Sequence, residues 1–365
     1  MSKIQRKTSI TAIICELNPP HAGHKRLVEL VRDVYPNETL AAVMSGSFVQ
    51  RGEPAIYQKH VRAASALDMG FDFVVELPLE GALSSAEGFA RYGVALASAC
   101  GASRLAFGAE CGDFDALRAA AQALNSNECD ERLRTELTTG ISYAAARQRA
   151  LAALLGDGAD VLRSPNNLLA IEYIRAAAEL APQLDFHCVR REPGVSATAE
   201  RLQIHNRGDS EAVLPEMLDT AVLSRLRLMG IDDFAQIRGG EDGVAERFAR
   251  FAAVEGSLAE LCDSAKTKRH AHSRLRRFAL ASALGITRDT APMPQYIRIL
   301  AANAQGREAL RILSDTAPLP VITKPATAKE CLKLESAATD LYNLAYPDAA
   351  RRRGGAEWTT SPIMA

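Results

Sequence analysis

Strand-like and helix-like stretches alternate along the first two hundred residues, and that alternation leaves few architectures open. SITAIICE (9–16) is β-branched and apolar, as a strand buried on both faces must be. HKRLVELVRDV follows, with Leu27, Leu30, Val31 and Val34 at helical spacing. TLAAVMS (39–45) reads as a second strand. A helix is expected from Tyr57 to Met69, with Val61, Ala64 and Leu67 as its apolar side and Gly70 as its stop. FDFVVELP (71–78) is the clearest strand; a helix through 85–99 precedes SRLAFGAE (103–110), and LDFHCVR (184–190) reads as a fifth strand. The pattern predicts an α/β fold with a Rossmann-like, doubly wound parallel sheet. Ligands of such sheets lie outside the carboxyl ends of the strands. Those ends carry Glu16-Leu17-Asn18, Ser45-Gly46-Ser47, Glu76-Leu77-Pro78, Gly108 and Arg190-Arg191.

Between about 114 and 182 the pattern is helical and alanine-rich, an insertion within a first domain expected over 1–205. After it, MLDTAVLSRLRLMG, GVAERFARFAAV, HSRLRRFALASALG and QYIRILAANAQG each read as amphipathic helices. A mainly α-helical second domain is therefore expected over 206–350, with a short extended piece at VITKPATA (321–328) and a flexible tail over 351–365. A net charge of -1 gives no whole-molecule field to gather nucleic acid, so such a partner needs a local patch. The seven cysteines include no C-x-x-C pair and suit neither a disulfide framework nor a zinc site. The apolar run from Ile10 ends at Glu16, too early for a signal peptide, and no stretch approaches ~20 uninterrupted apolar residues. A soluble, cytoplasmic protein without a metal cage or a membrane partner is the expectation.

The turn after the first strand is Asn18-Pro19-Pro20-His21-Ala22-Gly23-His24. At this place in a Rossmann-like sheet, free N–H groups and the helix dipole favour an anion. The prolines stiffen the turn, and Gly23 lets backbone approach a bound group. His21 and His24, three apart, project from one face of the first helical turn. Two imidazoles there can donate to a phosphate bridge and stabilise charge developing at an α-phosphorus. The plain structural explanation makes His21 a helix cap and His24 a surface residue.

H-x-G-H in this position resembles the signature of the nucleotidylyltransferase superfamily. The resemblance narrows over IICELNPPHAGH (13–24), VMSGSFVQRGEPAIYQKHVRAASALDMGFDFVVELP (43–78), FGAE (107–110), SPNNLLAIEYI (164–174) and AKTKRHAHSRLRR (265–277). In that order these look like the bacterial tRNA(Met) cytidine acetate ligases. The resemblance implies activation of acetate by ATP, with Mg²⁺, to acetyl-adenylate. Transfer to N4 of the wobble cytidine of elongator tRNA(Met) then follows. It places ATP on Ile14, Cys15, Glu16, Leu17, Asn18, Pro19, Pro20, His21, Ala22, Gly23, His24, Lys25, Arg26 and Leu27, with His21 and His24 catalytic. Gly108, Asn166, Asn167, Arg190 and Arg191 would complete the pocket. As ordinary structure, these five would be a turn glycine, a helix cap and a solvated arginine pair.

The chain departs from the family pattern where a Gly-Tyr-His-Asp element and a spacer precede a Ser-Ala-Thr-x-Ile-Arg motif. REPGVSATAER (191–201) lacks the His-Asp, contracts the spacer and has Glu200 for the isoleucine. Ser196, Thr198 and Arg201 remain as candidates for holding a triphosphate. Ser45, Gly46, Ser47, Gln50 and Arg51 fit a lid or substrate loop. Lys266, Lys268, Arg269, Arg274, Arg276 and Arg277, with no acid between them, form the densest basic run and the candidate tRNA contact. A solvated helix face is the structural alternative there. A nucleotidylyltransferase of phosphorylated metabolites and a non-catalytic RNA-binding relative are the rival readings.

Overall fold

The computed structural model describes residues 9–192 and 197–365. Its main sheet contains Ile10–Cys15 (β1), Thr39–Ser45 (β2), Phe73–Leu77, Arg104–Ala109, Asp185–Arg190, Ile297–Ala302, Val321–Ile322 and Ile363–Met364; Phe48–Val49 (β3) and Glu53–Pro54 (β4) form a separate hairpin. With the last six sheet strands numbered β5 to β10, the order across the sheet is β10-β8-β5-β2-β1-β6-β7, and β9 also pairs with β8. β1 runs parallel to both β2 and β6, with Ile10 opposite Thr39 and Thr11 opposite Arg104. Only β8 against β5 is antiparallel among these pairs. The chain leaves β1 toward β2 on one side and returns to β6 on the other. That reversal opens a crevice beyond the carboxyl ends of β1 and β6.

Both sheet faces are covered, which explains the unbroken apolar strands. Ile13, Ala42, Met44 and Val74 pack under Ala22–Val34 (α1) and Lys59–Asp68 (α2), through Val28, Val31, Ala63 and Ala66. Their strand neighbours Ala12, Ile14, Val43, Val75 and Phe107 pack on the opposite face against Ala86–Ala99 and Pro165–Leu180. A separate helical core after residue 212 is built on Phe234, Phe248 and Phe278, whose ring centroids lie 4.7 to 6.2 Å apart. Phe48, on the hairpin, belongs to this helical core.

Three expectations are corrected. Ile297–Ala302, read as part of a helix, is a fully buried strand, because Ile297 to Ala302 face packed layers on both sides. The segment 351–365 is not a loose tail: Ile363 and Met364 pair with Ala301 and Ala302, and Glu357 is buried. The buried side of α2 is Lys59, Arg62, Ala63 and Ala66, while Val61 is exposed. Lys59 is held by Glu76 and Glu357, and Arg62 by the carbonyls of Glu16, Ser45, Gly46 and Tyr57, so two charged residues face inward. Gln50 and Arg51 sit in the turn that joins β3 to β4.

Candidate active site

A cleft of about 490 Å³ opens at the crevice between β1 and β6. β1 delivers Ile14 and Cys15 to its wall, and Glu16, Leu17, Asn18, His21, His24 and Leu27 continue it. Leu17 turns the chain with φ of 47°, a left-handed conformation costing about 1–3 kcal/mol in a leucine, while its side chain is buried. Asn18 is tied on both sides: its Oδ1 accepts from the Ile56 N–H at 2.7 Å, and its carbonyl accepts from Arg201 at 3.0 Å.

His21 caps α1 and also lines the cleft, so its capping role leaves it facing the crevice. Its Nδ1 accepts the Gly23 N–H at 3.0 Å, which leaves Nε2 as the nitrogen carrying the proton in the neutral ring. The His24 ring stacks on it, centroids 3.8 Å apart. Burial, then His21 and Arg191, push the His24 pKa down to about 3; burial and Arg191 also lower that of His21. Both rings are therefore neutral at pH 7, each offering one N–H. His24 Nδ1 is buried with no partner among the described residues, as expected of a group whose partner is a ligand.

On the β6 side, Gly108 lines the cleft, and a Cβ there would meet the Arg191 side chain at 3.1 Å. The glycine thus leaves room for the methylene stem of Arg191, a residue that also lines the cleft. Arg190 is exposed and does not line it, since successive residues leave a strand on opposite faces. Asn166 and Asn167 divide in the same way. Asn166 lines the cleft and donates to Glu110 at 2.6 Å, whereas Asn167 is buried and accepts from the Cys111 N–H at 2.9 Å. Arg201 lines the cleft, so the shortened 191–201 segment still delivers it there. Pro19, Pro20, Ala22, Gly23, Lys25 and Arg26 do not line the cleft, and Lys25 and Arg26 are exposed. Ser196 and the Thr198 side chain lie outside the described residues.

Sequence reasoning missed the apolar wall formed by Phe89, Phe107, Leu168, Leu169 and Tyr173. The signal for Leu168, Leu169 and Tyr173 was a helical stripe across 165–174, and Phe89 and Phe107 sat in apolar runs, all indistinguishable in sequence from core. The hairpin tip contributes Gln50 and Arg51 to the opposite wall.

The basic run splits in two. Lys266, Lys268 and Arg269 are exposed on a turn and form no ion pair among the described residues. Arg274 pairs with Asp242 at 3.2 Å, Arg276 with Glu53, and Arg277 donates to the Gln50 carbonyl at 3.0 Å. Burial lowers the Arg277 pKa to about 10. Those three lie on His272–Leu284, whose Ser273 lines the cleft, and Gly52, with φ of 74°, packs directly against the backbone at Arg276 and Arg277. The hairpin therefore joins the cleft to the basic helix.

A model of the HIGH nucleotidyl transferases matches residues 8–200 and 195–357. The tRNA(Met) cytidine acetate ligase of Syntrophomonas wolfei is 31% identical over 97% of this chain and 99% of its own length. That of Thermotoga maritima is 31% identical over 96% and 99%. This chain belongs to the tRNA(Met) cytidine acetate ligase family. The crystal structure of Thermotoga maritima TmcAL bound with alpha-thio ATP superposes with a TM-score of 0.92 at 30% identity, covering 98% of this chain and 99% of that one. The alignment with the Syntrophomonas ligase runs over 412 positions against 365 residues here, so that member of the family carries segments this chain lacks. Among the described residues no helix is long and apolar enough to cross a membrane.

Proposed function

We propose that this chain is an ATP-dependent ligase. It activates acetate as acetyl-adenylate, releases pyrophosphate, and passes the acetyl group to N4 of the wobble cytidine of elongator tRNA(Met) in the cytoplasm. One observation carries the reading: the stacked His21–His24 pair stands on the first turn of α1, inside the cleft at the sheet's switch point. In the first step an acetate oxygen attacks the α-phosphorus. Neutral His21 and His24 donate to the phosphate oxygens, while Arg191 and Arg201 offset the charge gathering on the departing pyrophosphate. Adenine lies along Phe107, Leu168, Leu169 and Tyr173, with Gly108 and Asn166 at its edge.

Among the described residues no group of three or more His, Cys, Asp or Glu side chains could hold a metal ion, and Glu16 is the lone carboxylate of the cleft. Mg²⁺ would therefore enter on the nucleotide's own oxygens, as this ion commonly does. The helical body contacts tRNA through Lys266, Lys268 and Arg269.

Acetate-dependent exchange of labelled pyrophosphate into ATP is the expected activity, and N4-acetylcytidine should disappear from tRNA on deletion of the gene. Exchange with a phosphorylated metabolite in place of acetate would replace this reading. Salt-sensitive tRNA binding without any exchange would reduce the chain to an RNA-binding relative.

A further inference from the structure

Glu16 is the only carboxylate among the described residues lining the cleft, and it stands with Arg51, Arg191 and Arg201. A pocket for a triphosphate gains nothing from a fixed negative charge, because like charges oppose each other's burial. Yet this side chain is carefully held. The Gln50 N–H donates to its Oε1 at 2.7 Å, and Arg62 grips its carbonyl at 2.6 Å. Burial raises the Glu16 pKa on balance, and the Gln50 amide with Arg62, Arg51 and Arg201 offsets part of that rise. The result is a carboxylate with Oε1 fixed by the hairpin and Oε2 left for the cleft.

On the ligase reading above, on which this inference rests, two amino groups enter the cleft: N6 of adenine and N4 of cytosine. Only N4 must lose a proton. We propose that Glu16 accepts the N4 amino group of the target cytidine through Oε2 and takes one of its protons during acetyl transfer. N4 attacks the acetyl carbonyl carbon, and the C–N bond forms. The bond from that carbon to the adenylate phosphate oxygen breaks, and AMP leaves with the electron pair. One N4 proton passes to Glu16 and from there to water, so no further reactant is needed. The same contact selects against uridine, which presents an acceptor at O4 where cytosine presents a donor. The Gln50 amide that fixes Oε1 lies on the hairpin gripped by Arg277, so the carboxylate is positioned from the basic helix.

Two assays on Glu16→Gln and Glu16→Asp test the assignment. One is acetate-dependent pyrophosphate exchange; the other is single-turnover transfer from preformed acetyl-adenylate to a tRNA transcript across a pH series. The side-chain amide oxygen of the Glu16→Gln variant can still accept from Gln50, so exchange should fall far less than transfer. Transfer should fall by about a hundredfold or more, the usual contribution of a general base. The parent's transfer rate should rise with pH to a plateau, Glu16→Asp should keep that rise at lower rate, and Glu16→Gln should lose it. Transfer by Glu16→Gln within about threefold of the parent would overturn the proposal. So would exchange falling as far as transfer, since Glu16 would then serve the nucleotide. Absence of exchange in the parent itself would instead sink the ligase reading.

Discussion

On the proposed mechanism, the first step should depend most on His24. Its ring lies in the cleft, stacked on His21, with one nitrogen unpartnered among the described residues. His24→Ala should lower acetate-dependent exchange by about 10²- to 10³-fold, the cost of removing one preorganised donor, while tRNA binding changes little. Exchange kinetics and filter binding on the same preparation measure both. The ring also predicts a pH response. The folded protein holds His24 at about 3, against 6.5 as the ordinary value. Between those values the unfolded chain binds the extra proton, so this contribution to stability is complete above 6.5 and is lost as pH falls toward 3. The parent's Tm should therefore fall more than that of His24→Gln between about pH 7 and about pH 4.5, read by scanning fluorimetry.

At the scale of elements, the hairpin of β3 and β4 decides how the cleft meets the helical body. Phe48 anchors it in the helical core, Gln50 holds Glu16, and Glu53 and the Gln50 carbonyl hold Arg276 and Arg277. The arginines of the basic helix are thus occupied in assembling the molecule. The turn before that helix keeps its cations out of ion pairs with the described residues. Alanine at Lys266, Lys268 or Arg269 should each reduce the slope of log affinity for tRNA against log salt by about 0.7–0.9. Alanine at Arg276 should leave the slope unchanged and lower the urea midpoint instead. Fluorescence anisotropy over a salt series separates the two groups.

Across the whole molecule, the last residues close the sheet body. Glu357 reaches Lys59 at 2.6 Å and Arg298 at 3.4 Å and accepts from Thr339 at 3.0 Å. Burial alone would raise its pKa, but Lys59 and Arg298 outweigh that and hold it at about 2. Removing it leaves two buried cations short of a partner. Glu357→Ala should cost about 3–5 kcal/mol in urea unfolding, far above a surface change in the same segment. A loss near zero would mean that the segment is dispensable.

Local pattern was enough to read β1, β2, β5 and β6, because strands buried on both faces are apolar along most of their length, and β7, a half-buried strand at the sheet edge, was read from its short run of Phe186, Cys188 and Val189. It was enough for the turn bearing His21 and His24 as well, since strand, proline-stiffened turn and amphipathic helix are contiguous. Tertiary structure alone decided the rest. Ile297–Ala302 has the composition of a buried helix and became a strand only because β5 offered an open edge. Arg274, Arg276 and Arg277 met acceptors on Asp242, Glu53 and Gln50, which lie 32, 223 and 227 positions away in the chain. Asn166 parted from Asn167, and Arg191 from Arg190, by the direction each side chain leaves its element. Periodicity is a property of neighbours in the chain, whereas partners for charge and hydrogen bonding are set by which elements the fold brings together.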